Sequence, residues 1–172
     1  VAVGPEGNVS IIAWRSHAPG GPVRIEKYSP GGEFIAQWGS VGTGDGQFIH
    51  PLDIAIDAQG IVYVADGYNS CIQKFTSEGE FLMKWGGPGK GENLFRSPKS
   101  IVFDTVGDVY VLDNRSIQKF TPEGKFLAKW DSGGGKQMAV DVQRNMYVPD
   151  QNGNVKKLDQ NGQLVEEWGS SG

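Results

Sequence analysis

One cysteine, two histidines and no long apolar run already exclude several kinds of protein for this 172-residue chain. The lone thiol, Cys71, cannot close an intrachain disulfide, so cysteine usage reports nothing about an oxidising compartment. No stretch approaches the roughly 18 apolar residues of a membrane-spanning helix. The first ten residues also lack the basic start and long apolar middle of a signal peptide. Positive charge is in deficit, with 16 Lys and Arg against 20 Asp and Glu and a net charge of -4. That balance disfavours nucleic acid as a partner, because backbone binding needs a surplus of cations on one face. Helical periodicity is missing too, since turn residues interrupt every candidate window within about eight positions. The Gly-rich stretch GGPGKGEN (86–93) leads toward a strand and lacks a Gly-Lys-Ser/Thr ending, which excludes a phosphate-binding loop. There is no Gly-x-Ser-x-Gly nucleophile elbow and no paired-cysteine motif.

Glycine, by contrast, is abundant, at 26 of 172 residues and roughly double its usual share. Its placement explains why. Residues 52–85 read as four short apolar runs, LDIAI, IVYVA, CIQKF and FLMKW, separated by DAQG, DGYNS and TSEGE. Runs rich in β-branched and aromatic residues, punctuated by Gly, Asp, Asn and Ser, predict a four-stranded antiparallel meander. The unit recurs. Trp38, Trp85, Trp130 and Trp168 close four repeats, spaced by 47, 45 and 38 residues, and a turn glycine keeps register before each at Gly32, Gly79, Gly124 and Gly162. The first repeat carries a long insertion, WRSHAPGGP (14–22), in which Trp14 stands outside the tryptophan register. In the fourth, Arg144 replaces a turn glycine.

A lone meander cannot bury both faces, yet these strands are apolar on both. Radial stacking resolves this, giving an all-β, β-propeller fold with four-stranded antiparallel blades at about 1–39, 48–86, 95–130 and 136–169. The first strands should be innermost, because Ala2, Ala55 and Ala139 place small residues where strands converge, and the tryptophan strands outermost.

Gly-Gln-Phe-x-x-Pro-x-x-Ile-Ala-Ile-Asp-x-x-Gly-x-Val-Tyr-Val-Ala-Asp-x-x-Asn, followed by Ile-Gln-Lys-Phe-x-x-x-Gly-x-Phe-Leu-x-x-Trp-Gly, resembles the NHL repeat. That resemblance implies a propeller, commonly six-bladed. The expectation is therefore a segment of a longer, six-bladed ring, with a closed four-bladed ring as the alternative. Open blade faces would favour self-association.

Meander topology sends the inter-repeat connectors and the turns between second and third strands to one end of the blades. The longer and more variable loops gather there, which makes this connector face the expected binding surface. Its candidate binding residues are Trp14, His17, His50, Asp66, Tyr68, Arg96, Lys99 and Arg115. A cation such as zinc or calcium, if bound, would draw on His17, His50, Asp66, Asp113 and Asp150. The competing reading of the aspartates is that each caps backbone N–H groups in its own turn. VADGYNSCIQKF (64–75) resembles a segment of peptidyl-hydroxyglycine lyases, propellers that use a histidine-bound zinc. This chain carries Cys71 where that family has arginine, and only His50 lies in a comparable connector. Cys71 itself opens an apolar strand and reads as a small buried hydrophobe.

The leading expectation is a non-catalytic scaffold that binds a protein, peptide or glycan through the connector face. A metal-dependent lyase or hydrolase, and a structural subunit of a larger assembly, are the alternatives. A secreted or extracytoplasmic location is slightly favoured.

Overall fold

The computed structural model describes residues 1–14, 23–150 and 152–169, and these form strands and turns with no helix. Four antiparallel meanders follow one another. Blade 1 is β1 (Ala2–Val3), β2 (Val9–Trp14), β3 (Val23–Tyr28) and β4 (Phe34–Trp38). A connector holding the short parallel pair β5 (Ser40–Val41) and β6 (Gln47–Phe48) leads to blade 2. Blade 2 is β7 (Pro51–Ile56), β8 (Val62–Asp66), β9 (Cys71–Phe75) and β10 (Phe81–Gly86). Blade 3 comprises β11 (Pro98–Phe103), β12 (Val109–Asp113), β13 (Ser116–Phe120) and β14 (Phe126–Asp131). Blade 4 comprises β15 (Ala139–Val140), β16 (Met146–Pro149), β17 (Val155–Leu158) and β18 (Leu164–Trp168).

Stacking explains the double-sided apolar pattern. In β8, Val62 and Val64 pack toward blade 1 with Ile25, Phe48 and Phe75, while Tyr63 and Ala65 pack toward blade 3 with Ile101, Val109 and Val111. In β12, Val109 and Val111 face back to blade 2, and Tyr110 and Leu112 face blade 4 with Met146 and Val148. Successive side chains of a strand point to opposite faces, so a strand between two neighbours must be apolar at every position. Both strands are buried along their whole length. The first strands of neighbouring blades, β1, β7, β11 and β15, approach one another and form the inner edge.

A tryptophan from each blade is seated by the next. Gly79 adopts φ +91, and a Cβ there would lie 2.5 Å from the Trp38 ring. The turn therefore needs glycine for its backbone and again for the seat. Trp85 packs likewise on Gly124, and Trp130 on Gly162. On the flanks the pairing is open, with Trp168 exposed and the seat at Gly32 empty among the described residues. Lysines repeat the junction, Lys27 Nζ donating to the Ser77 carbonyl at 2.9 Å and Lys74 Nζ to that of Pro122 at 2.8 Å.

At the end of the blades opposite the connectors, an aspartate caps the first turn of blades 2, 3 and 4. Asp57 accepts N–H bonds from Gln59 and Ile61 and the Tyr63 hydroxyl. Asp104 does the same with Val106, Asp108 and Tyr110, and adds Lys119 at 3.2 Å. Asp141 holds Gln143, Asn145 and Tyr147. Arg144 takes the place of the turn glycine by adopting φ +66, a left-handed conformation. One sequence expectation is corrected: Trp14 is the last residue of β2, paired with Val23, and not part of the insertion.

Candidate functional site

The connectors into blades 2 and 3 are stapled to the blade they enter. Gln73, wholly buried in β9, accepts the Gly46 N–H at 2.9 Å and donates to the Gln47 carbonyl at 2.6 Å. Gln118 repeats this with Asn93 and Leu94 at 2.9 and 2.7 Å. Asp66 accepts from the backbone N–H groups of Ile49 and His50 at 2.8 and 2.9 Å, and from the Asn69 side chain at 2.9 Å. Asp113 accepts from Arg96 and Ser97. Phe48 and Phe95 anchor the same loops in the core. Buried polar groups satisfied in this way hold loop geometry, so side chains on these connectors are presented from a fixed backbone. The aspartates thus correct one expectation. Asp113 caps the preceding connector, Asp66 caps both connector and turn, and Asp150, with Asn152 and Asn154, serves its own turn.

The pinned connector delivers His50 between two aromatics from different elements. Its imidazole stacks on Tyr68 at 4.6 Å and 21°, and meets Trp14 at 5.5 Å and 54°. Trp14 comes from blade 1, and Tyr68 from the turn between β8 and β9. Tyr68 is 72% exposed and Trp14 42%, so the three rings form a ledge across the junction of blades 1 and 2. His50 Nδ1 is buried, with no hydrogen-bond partner among the described residues. Gly67 lies flat beside Leu52, where a Cβ would come within 2.6 Å of the leucine side chain, and this brings the ledge to the rim of a cavity.

That cavity, about 970 Å³, opens among the inner strands of blades 2, 3 and 4. Leu52, Lys99 and Lys136 line it from equivalent repeat positions, three residues before Ala55, Val102 and Ala139. Arg115 and Asn114 reach it from the turn after β12, and Asp53 from β7. Asp53 bridges blades, accepting the Ile101 N–H at 2.8 Å as well as that of Ile54. Burial pushes its carboxyl above the usual range against the pull of those bonds.

The structure therefore divides the sequence-predicted residues into two groups. Trp14, His50 and Tyr68 meet at the ledge, with Asp66 beneath them; Lys99 and Arg115 meet at the cavity. Arg96 is exposed and belongs to neither, and His17 lies outside the described residues. Among the described residues no three His, Cys, Asp or Glu side chains gather in a group that could hold a metal ion. Cys71 is buried, and burial, reinforced by the nearby Asp66 charge, pushes its thiol up to about 12, as suits a core residue. Asp53, Asn114 and Lys136 escaped the sequence reading. Alignment of Leu52, Lys99 and Lys136 in the repeat register was the signal that could have found the last of them.

Residues 48–75, the connector end and first three strands of blade 2, match the NHL repeat family model. That match covers one repeat, and the stacked four-stranded meanders around it give the chain a β-propeller type of fold. Solved structures agree on the fold. Selenomethionine-substituted virginiamycin B lyase from Staphylococcus aureus aligns with TM-score 0.70 at 16% identity, over 98% of this chain and 54% of that one. A protein of unknown function from Bacteroides caccae gives 0.66 at 15%, over 95% and 58%. Hydrazine synthase from Kuenenia stuttgartiensis gives 0.70 at 11%, over 96% and 47%. The chain thus spans about half the length of these propellers. No curated protein matches it in sequence.

Proposed function

We propose that this chain acts as a rigid, non-catalytic binding module, presenting its connector face to a protein, peptide or glycan. The observation that carries the reading is the ledge of Trp14, His50 and Tyr68 on a connector clamped by Asp66 and Gln73. Exposed aromatics are unusual on a surface unless they serve contact, and they offer large area with few rotors to order. Because the backbone beneath them is already fixed, little loop ordering opposes association. The test is a displayed peptide library and an immobilised glycan array, probed with the protein and with its Tyr68→Ala variant. Selective binding that falls at least tenfold in the variant supports the reading. Absence of binding on both formats, or binding indifferent to Tyr68, overturns it.

A lyase reading has one observation in its favour, the buried and unpartnered Nδ1 of His50. A solved lyase of similar fold has been captured with quinupristin. Incubation of the protein with quinupristin and divalent cations, followed by chromatography and tandem mass spectrometry that resolve isomers, separates the two readings. The binding-module proposal expects unchanged quinupristin; a reaction product that is lost in His50→Ala would replace it with the lyase.

A further inference from the structure

The charged groups around the cavity are unequally committed. Five of them line it: Lys99, Arg115 and Lys136 as cations, Asp53 and Asp150 as carboxylates. Both carboxylates are engaged by backbone N–H groups, Asp53 with Ile54 and Ile101, Asp150 with Asn152 and Asn154. None of these three cations is paired with a carboxylate among the described residues. Lys99 reaches only the Asn114 side-chain oxygen at 3.3 Å, and the Arg115 guanidinium and Lys136 ammonium have no hydrogen-bond or ion-pair partner there. Elsewhere the fold does pair its lysines, Lys84 with Asp45 and Lys119 with Asp104 and Asp108. Arg115 and Lys136 are exposed and Lys99 half-buried, so three cations outside any ion pair, beside two engaged carboxylates, give the cavity a positive lining open to an anion from solution.

We propose that this cavity takes an acidic oligosaccharide, its uronate carboxylates meeting Lys99, Arg115 and Lys136 while a neighbouring sugar ring lies on the exposed face of Tyr68. The proposal rests on the binding-module reading and names its ligand class. Three features favour such a ligand. Lys99 and Lys136 occupy the same position in successive blades, which suits a chain carrying its charge at regular intervals. The planar guanidinium of Arg115 matches a carboxylate through two parallel N–H bonds. The aromatic ledge adjoins the cations through Gly67 and Leu52, so one ligand can use both, its C–H face on the ring and its carboxylates in the cavity. A volume of about 970 Å³ lies at the upper end of the range for small-ligand sites, roughly 300–1,000 Å³. Nucleic acid fits less well, because three cations in a chain of net charge -4 are few for phosphate neutralisation. A flat protein interface fits less well too, since lysine is depleted from such interfaces.

The experiment is calorimetric titration of the protein with tetragalacturonate, its methyl ester, a neutral maltotetraose, a tetraglutamate peptide and a single-stranded oligonucleotide. Tetragalacturonate should bind, weaken as salt rises, and lose at least tenfold on methyl esterification. Lys99→Gln combined with Lys136→Gln should lose at least tenfold for tetragalacturonate with an unchanged melting temperature, and Arg115→Gln should lose severalfold. These cations lie outside the core, so a folded variant is expected; should the double variant melt early, Arg115→Gln and the methyl ester still decide. Equal affinity for acid and ester, tighter binding of tetraglutamate or oligonucleotide, or no uronate binding at millimolar concentration overturns the proposal. If the ester or maltotetraose binds equally well and depends on Tyr68, the acidic-ligand inference fails and the binding module stands. If no glycan and no peptide binds in any format, both fall.

Discussion

Aspartate caps the loops at both ends of the blades, and the two ends differ in what lies beside it. On the turn face, Asp57, Asp104 and Asp141 each close a four-residue turn and tie it to a tyrosine six residues on in the strand that follows, Tyr63, Tyr110 and Tyr147. There the charge is consumed locally: Lys119 pairs with Asp104 and Asp108 and lies over the Tyr110 ring at 4.9 Å. On the connector face, Asp66 and Asp113 reach back some 16 or 17 residues to hold the incoming loop. Their reach leaves His50, Tyr68, Lys99 and Arg115 displayed on a rigid frame. The repeated aspartates do similar structural work at both ends, and binding is proposed at the end where the side chains beside them are left displayed.

The comparison can be broken at its strongest point by Asp104→Ala. Its side chain is wholly buried, and removal orphans the Val106 and Asp108 N–H groups and the Tyr110 hydroxyl while Lys119 keeps Asp108, so a loss of about 3–4 kcal/mol is expected in denaturant unfolding. A loss below about 1 kcal/mol would mean that the turn-face network is not structural. Asp66→Ala on the opposite face should cost about 2–3 kcal/mol by orphaning the N–H groups of Ile49 and His50. It should also loosen the connector, read as faster amide exchange at those two residues; unchanged exchange would contradict the stapling. Gly79→Ala, which forces a side chain into a left-handed turn and against Trp38, should cost about 2 kcal/mol or more.

The remaining predictions carry the smallest expected effects on stability. Tyr68→Ala should shift stability by no more than about 0.5 kcal/mol, because the ring is mostly exposed. A large destabilisation would make the ledge a packing element. Cys71, its thiol held up near 12 by burial, should resist alkylation at pH 8 in the native protein and react rapidly in denaturant. Fast native labelling would show that β9 opens.

Much of the blade was legible without coordinates. The spacing of Trp38, Trp85, Trp130 and Trp168 and the glycines ahead of them fall where the structure places the fourth strands and their turns, because Trp38, Trp85 and Trp130 each pack on the turn glycine of the following blade. Strand bounds such as Phe34–Trp38 follow from the apolar run between turn residues. Trp14 was misplaced because a strand end and a loop start look alike when the partner, Val23, lies beyond an insertion. The site was legible in part. His50, Tyr68, Lys99 and Arg115 stood out by residue type, but nothing local told which of them would meet.

Returning to the whole chain, sequence alone determined the all-β class, the four meanders and the face on which variable loops gather. Alternation of period two and recurrent turn chemistry are local properties, and they are written in the order of residues. The tertiary structure decided that Trp14, His50 and Tyr68 form one ledge, that Asp53 spans two blades, and that Lys99, Arg115 and Lys136 share one cavity. Those neighbours are tens of residues apart, brought together by the stacking angle of one blade on the next, which no single blade encodes.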